Sequence, residues 1–297
     1  MVNVYVPEYI AGAGAWIYSG YSKAWESLGY NVINYHDLSS LRWSSGFIMC
    51  PDANIRNIGD LEIIKRFDRA FIYCQSNTFP SPWGQHPNWV TSCDPRIIEE
   101  LNNLETAKLW SFSNASSIYT LWKDVNYVPL AFDSISYADI EYDEDYAFDI
   151  CFVGSIANNG FNEKAQIMGE YFSELYHRGI NIAGISVQKD ISHQQEAKML
   201  RSSKIALNIH DAYQQKLGYD VNERTFKSLG LNGILVSDYV EEVGRLFPGV
   251  PMGTTPSEYA DIIESMLNED LSLERERNRS LIMENHTYIK RVQELLS

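Results

Sequence analysis

Short apolar runs alternate with segments of helical periodicity along the whole chain. Residues 2–6 make an apolar run of strand length, the small residues Ala11-Gly12-Ala13-Gly14 follow it, and an amphipathic stretch occupies 16–28. That order predicts strand, glycine-rich loop, helix. Further strands are expected at 32–34, 47–50, 69–74 and 107–112, with helices at 60–66 and 95–104 between them. Past residue 148 the alternation restarts. Strands at 148–153, 180–187, 204–210 and 233–238 interleave with helices at 162–178, 194–202, 222–229 and 257–267, and charged helices fill 272–296. Strands separated by helices form βαβ units, which run parallel because each crossover returns the chain to the same edge. Two doubly wound α/β halves are therefore expected, and no internal repeat relates them.

Between the halves the composition changes. The stretch from Phe132 to Asp149 holds seven acids (Asp133, Asp139, Glu141, Asp143, Glu144, Asp145, Asp149) and no base. It suits a linker. The expected organisation is a first domain over 1–132, an acidic linker over 133–148, a second domain over 149–284, and a C-terminal helix over 285–297 that packs back on the first domain. Two α/β halves joined in this way leave a cleft between the carboxyl ends of their sheets, where open α/β folds bind ligands.

Composition narrows the ligand. The chain has 297 residues with 24 Lys+Arg against 39 Asp+Glu, a net charge of −15 that disfavours non-specific attraction to nucleic acid. Hydrophobic residues reach 45%, enough for a core in each half. The four cysteines are scattered without a CxxC pair, so buried thiols are expected rather than zinc or disulfides. Nineteen Tyr and seven Trp exceed what a plain core needs and suit a ligand that stacks, a sugar or a base. No apolar run approaches the ~20 residues of a membrane span and no basic segment opens the chain, so a cytoplasmic location is expected.

Candidate chemistry gathers in the second half. Gly154-Ser155 closes a strand, and Asn158-Asn159-Gly160 follows before the next helix. Exposed amides beside a helix N-terminus suit a diphosphate; an ordinary βα turn is the alternative. Asn208 and His210 end a strand, and Glu223, Arg224 and Thr225 open the helix that leads to the next strand, so all five belong to one rim of the sheet. Arg224 in a first helical turn opposes the helix dipole, which a bound phosphate would explain. In the first half, the spacing from Gly12 and Gly14 lacks the third glycine of GxGxxG. The loop 75–92 is long and carries Trp83, His86, Trp89 and three prolines, features of a functional loop whose aromatics can stack on a sugar. His36 reads as a surface or capping residue, and the alternating charges of 274–279 as a solvated face with ion pairs.

The segments LNIH, NERTFKSLGLNGILVSDY, LF and ENHTYIKRVQELL resemble the C-terminal half of group 1 glycosyltransferases of GT-B fold, most closely the CgeB-like (spore maturation protein) branch. The resemblance covers about 148–296, and YVPLAFD at 127–133 is similar to the turn that ends the acceptor half of those enzymes. It implies two Rossmann-like domains facing across a cleft, the first for the acceptor and the second for a nucleotide-diphosphate sugar. Carried over by position, Gly154 and Ser155 face the diphosphate and Arg224 pairs with it. Glu223, Thr225 and the loop 210–220 surround sugar and ribose, with Asn208 and His210 at the same rim. Lys227 stands where many relatives have the ribose-binding Glu, and the paired Glu of the wider group is absent because Tyr219 lies eight residues before it. Gly12, Gly14 and Trp83 would lie near the acceptor, with Glu8 and His86 as rival candidates for the catalytic base. The implied activity transfers a sugar to an acceptor hydroxyl, with retention favoured by the group. No cofactor or metal is implied, since the chain has no DxD triplet flanked by apolar strand residues. Nucleic acid enters only as an acceptor, as in phage enzymes that glycosylate DNA bases. A non-catalytic nucleotide-sugar binding protein is the rival of another class.

Overall fold

The computed structural model describes residues 1–10, 12–84, 90–156, 163–186 and 192–297. Contacts divide the chain into two units, one of residues 1–129 with 288–297 and one of residues 130–287.

The first unit is a six-stranded parallel sheet built from β1 (Asn3–Pro7), β2 (Asn31–Tyr35), β3 (Phe47–Pro51), β4 (Arg69–Tyr73), β5 (Ala107–Ser111) and β6 (Asn126–Tyr127), in the order β2-β1-β3-β4-β5-β6. Helices α1 (Gly12–Ser27), α2 (Ile58–Ile64) and α3 (Pro95–Asn102) make three of the five crossovers. Gly12 and Gly14 thus open α1 and do not form the expected loop. The apolar face Ile17, Tyr18, Tyr21, Ala24, Trp25 carries the helix back to them, and at Gly14 a Cβ would meet the Tyr9 ring at 3.1 Å.

The second unit is a five-stranded parallel sheet of β7 (Ile150–Gly154), β8 (Ala183–Ser186), β9 (Ile205–Asn208), β10 (Leu235–Asp238) and β11 (Met252–Gly253), ordered β11-β10-β9-β7-β8. Its crossovers are α4 (Lys164–His177), α5 (His193–Ser202), α6 (Ala212–Leu217), α7 (Glu223–Leu231) and α8 (Glu241–Leu246), followed by α9 (Pro256–Leu267) and α10 (Ser272–Asn285). Phe152, Leu207, Val236, Tyr171 and Ile263 belong to one buried cluster. The short helices α6 and α8 and the two-residue strands β6 and β11 were not expected, because stretches of that length show no apolar period.

The acidic stretch is folded onto the second unit and is not a free linker. The Asp143 carboxylate meets Lys198 Nζ at 2.8 Å, Ser202 Oγ accepts from the Asp143 amide at 2.9 Å, and the Lys204 amide donates to Phe148 O at 2.8 Å. Acid-rich composition signalled solvation, but the lysine that pairs with it lies 55 residues away.

The C-terminal helix α11 (Tyr288–Leu296) belongs to the first unit, as expected. The Tyr288 ring fills the space a Cβ at Gly20 would need, at 2.4 Å, and lies edge-on to Tyr21 at 4.9 Å. Buried Arg291 donates from Nε to Pro129 O at 2.8 Å. Just before it, His286 packs against Phe247 and Phe226 and its carbonyl accepts from the Phe132 amide. The late His-Thr-Tyr…Arg motif therefore lies where the chain passes from one unit to the other. All four cysteines are free and buried. Among the described residues no helix is long and apolar enough to cross a membrane.

Candidate functional site

At the carboxyl edge of the second sheet, residues of α4, α6 and α7 and of the loops that follow β7 and β9 line a cavity of about 240 Å³: Ser155, Lys164, Asp211, Tyr213, Asn222 and Arg224 among them. The sequence builds this edge locally. Asn222 caps α7, its Oδ1 accepting from the Thr225 amide at 3.2 Å, and this sets the first turn so that Arg224 points back across β7. There Arg224 Nε donates to Val153 O at 2.6 Å, Nη1 donates to Asn208 Oδ1 at 3.1 Å, and the guanidinium lies 4.7 Å from the centre of the Phe152 ring. Gly154 is required for this: a Cβ there would lie 2.0 Å from Arg224 Nη2. The glycine expected to face a diphosphate thus makes room for the arginine expected to pair with one.

Asn208 is fully buried and serves as the hub. Its Oδ1 accepts from Arg224 and, at 2.9 Å, from Asn222 Nδ2. Its Nδ2 donates to Thr225 Oγ1 at 2.9 Å and to Ser237 Oγ at 3.2 Å. Thr225 is equally enclosed. Both position Arg224 and neither lines the cavity.

His210, expected around the sugar, lies beneath the rim, its Nε2 3.3 Å from Asn208 Nδ2. Its ring is fully buried and Nδ1 faces Asp238 Oδ1 at 2.7 Å, while its amide donates to Asp238 Oδ2 at 2.9 Å. Gln215 adds a third contact to that carboxylate at 2.7 Å. Burial pushes the Asp238 carboxyl up, but the imidazole charge and these hydrogen bonds outweigh it and hold it below its usual range. The pair pins the start of the loop to α6 onto β10, so His210 supports the site from beneath.

Glu223 faces away from the cavity toward Lys227. Lys227 Nζ meets Glu196 Oε1 at 2.9 Å and Glu223 Oε1 at 3.8 Å. Burial raises the Glu223 carboxyl, with Lys227 opposing. Lys227 is therefore a buried cation closing a cluster with two carboxylates.

Lys164, the first residue of α4, was missed. Its ammonium donates to Ile209 O and lies 3.1 Å from Asp211 Oδ1. Burial and the nearby Arg224 charge push its pKa down, with Asp211 opposing. The argument that singled out Arg224, a cation in a first helical turn, applies to Lys164 as well. Arg224 is likewise pushed down by burial, and among the described residues no carboxylate forms an ion pair with it. Two desolvated cations thus border one cavity, and Arg224 keeps Nη2 unengaged.

In the first unit, Glu8 follows β1 and borders an open pocket of about 420 Å³ with Tyr9, Tyr18, Ser22 and Lys23. Its carboxylate lies 3.4 Å from His36 Nε2, and both side chains are exposed. His36 is thus the partner of Glu8 beyond its expected surface role. Trp83 is buried, 4% exposed, so its face is not open to an acceptor. His86 and Trp89, like the Asn158-Asn159-Gly160 loop and Ala11, lie outside the described residues. Asp52, after β3, was also missed. Its Oδ2 accepts from Thr91 Oγ1 at 2.6 Å and from the Gln75 amide at 3.2 Å, whereas Oδ1 is buried without a partner. Burial pushes this carboxyl up to about 6. Among the described residues no group of three or more His, Cys, Asp or Glu is placed to hold a metal.

Residues 151–297, from β7 to the end of α11, match a family model described as glycosyl transferase-like. No curated protein sequence matches the chain. Among solved structures it is similar to an α-glucosyltransferase in complex with UDP-glucose and DNA containing an abasic site (TM-score 0.63, 9% identity, 99% of this chain and 98% of that one). It is also similar to AviGT4, a glycosyltransferase of avilamycin A biosynthesis (TM-score 0.60, 11% identity, 100% and 96%), and to the BGT of phage T4 in complex with UDP and Mn²⁺ (TM-score 0.57, 12% identity, 98% and 96%). The fold is that of the GT-B glycosyltransferases, with two Rossmann-like parallel sheets and a glycosyl transferase-like second half. At these identities the likeness speaks for the fold.

Proposed function

We propose that the chain is a glycosyltransferase that moves a sugar from a nucleotide-diphosphate donor to an acceptor hydroxyl. The observation that carries this reading is the cavity of the second unit, where Arg224 and Lys164 converge beside Ser155. A diphosphate is the ligand that two adjacent desolvated cations favour, and its charge would restore what burial costs them. In the transfer step, the diphosphate oxygen gains negative charge as the glycosidic bond breaks. Arg224 Nη2 and the Lys164 ammonium would stabilise that charge without reorganising, because Asn208, Val153 O and Asp211 already hold them. This supports transfer without a metal, although a bound ion would add the same neutralisation. On the acceptor side Glu8, oriented by His36, is assigned the proton of the incoming hydroxyl. Placement in the CgeB-like branch rests on the motif positions alone. A UDP donor follows the structural neighbours, two of which hold UDP or UDP-glucose.

The test is a panel of nucleotide sugars followed by thermal unfolding and by donor turnover in EDTA. One nucleoside diphosphate sugar is expected to raise the unfolding midpoint and to turn over with a hydroxyl acceptor. Stabilisation by none of them sinks the donor assignment; stabilisation with no turnover on any acceptor, hydroxymethylated DNA included, favours the non-catalytic binding protein.

A further inference from the structure

We infer that Arg201, Arg275 and Arg279 form a second anion site on the second unit, shaped for the phosphate group of a small molecule. The three lie at the end of the sheet away from the donor cavity. Arg275 Nη1 donates to Asn232 O and Oδ1 at 2.7 and 2.8 Å, and its Nη2 donates to Lys204 O at 3.1 Å. Arg279, one turn further along α10, donates from Nε to Gly230 O at 3.3 Å. Arg201 stands in the last turn of α5, where the adjacent Leu200 carbonyl accepts from Asn232 Nδ2 at 2.7 Å. Asn232 thus ties all three elements together. Lys204 and Gly233 precede β9 and β10, whereas Arg224 reaches past their far ends. At ~3.3 Å per residue the length of β9 alone separates the two sites by roughly 13 Å.

The expected solvated face is present on α10 at Glu274, Glu276 and Arg277, but the expected ion pairs are not formed among the described residues. Among the described residues Arg201, Arg275 and Arg279 have no carboxylate partner, in a chain of net charge −15. Arg275 and the Nε of Arg279 are explained as caps for carbonyls at the ends of α5 and α7. Capping does not explain Arg201. It makes no hydrogen bond or ion pair with a described residue, and its Nε is buried without a partner. Both Nη atoms of Arg279 are also unengaged. Burial and the neighbouring guanidinium of Arg279 push the Arg201 pKa down, and burial, Arg201 and Arg279 do the same to Arg275. Guanidiniums that repel one another and keep free N–H groups need a counter-charge that presents several acceptor oxygens, which is the chemistry of phosphate. A polyanion such as nucleic acid would also meet the field of the whole acidic chain; a single phosphate group would meet it far less.

Pyrophosphate binding by the full-length Arg224→Ala protein, measured calorimetrically at low salt, tests this with the donor cavity weakened. One pyrophosphate per chain is expected, and adding Arg201→Gln and Arg279→Gln should weaken it at least tenfold. Without anion, Arg201→Gln should leave the unfolding midpoint unchanged or higher, since repulsion is relieved, and should abolish the rise that pyrophosphate causes in its parent. Arg201→Gln alone carries the test if the combined variant does not fold, because Arg201 holds no partner whose loss would unfold the chain. Absence of binding to Arg224→Ala, or equal binding after the glutamine substitutions, overturns the site. Displacement of the pyrophosphate by a short oligonucleotide at lower concentration than by inorganic phosphate overturns the small-molecule assignment in favour of nucleic acid.

Discussion

At the carboxyl edge of the second sheet each polar side chain leans on another: Arg224 on Asn208, Asn208 on Thr225 and Ser237, His210 on Asp238. At the carboxyl edge of the first sheet Glu8 and Asp52 stand apart, one exposed beside His36 and the other buried with an oxygen unpartnered. The difference follows from the charge each edge holds. A half-buried guanidinium is costly unless its N–H groups are satisfied before a ligand arrives, so a network must exist around it. An exposed carboxylate is solvated by water and needs no such frame. On the proposed reading the second edge holds the donor, and Glu8, beside His36, takes the proton at the first.

Replacing the free acid should have the largest effect. If Glu8 takes the acceptor proton, Glu8→Gln should lower turnover at saturating donor by about 10² to 10⁴ with little change in donor affinity. Near-normal turnover removes Glu8 from the mechanism and with it the contrast drawn above. On the other edge, Arg224→Ala should weaken a nucleoside diphosphate by about 1.5 to 3 kcal/mol and the free nucleoside hardly at all, read by calorimetry. Equal losses for both ligands would mean that the edge had collapsed.

Asp52 makes the stability of the first unit depend on pH. Its carboxyl titrates near 6 when folded against 3.8 ordinarily. Between those values the unfolded chain has released the proton and the folded chain has kept it, so this group costs stability as pH rises through the window, and the cost is complete above it. The stability of Asp52→Asn relative to the parent should therefore grow by up to about 3 kcal/mol between pH 4 and pH 7, followed by urea unfolding. A constant difference would show that the free oxygen finds a partner. The smallest effect is expected from Gly154→Ala, which keeps every charge but takes the space of Arg224 Nη2. A loss of about 1 kcal/mol in diphosphate affinity with unchanged thermal stability would show that the placement of the guanidinium matters beyond its charge.

Much of this was legible beforehand. The strand and helix order of both halves followed from apolar periodicity, and Arg224 stood out because a cation in a first helical turn is unfavourable without a reason. Lys164 carries the same signal, a cation in the first turn of its helix. His210 looked like a ligand contact because it ends a strand. Nothing in the local sequence shows that Asp238, 28 residues on, takes its ring.

Periodicity and strand–helix order are local properties of the chain, and they already specify two parallel sheets and the rim that carries Asn208 and Arg224. Which of those residues face the cavity and which support it from below depends on contacts made across the sheet. The same holds for the folding of the acidic stretch onto the second unit, for the buried cluster of Lys227 with Glu196 and Glu223, and for three arginines that have no carboxylate partner among the described residues. Each of those outcomes depends on which distant side chain supplies the opposite charge or the missing oxygen, and such pairings are made across the sheet, not along the chain.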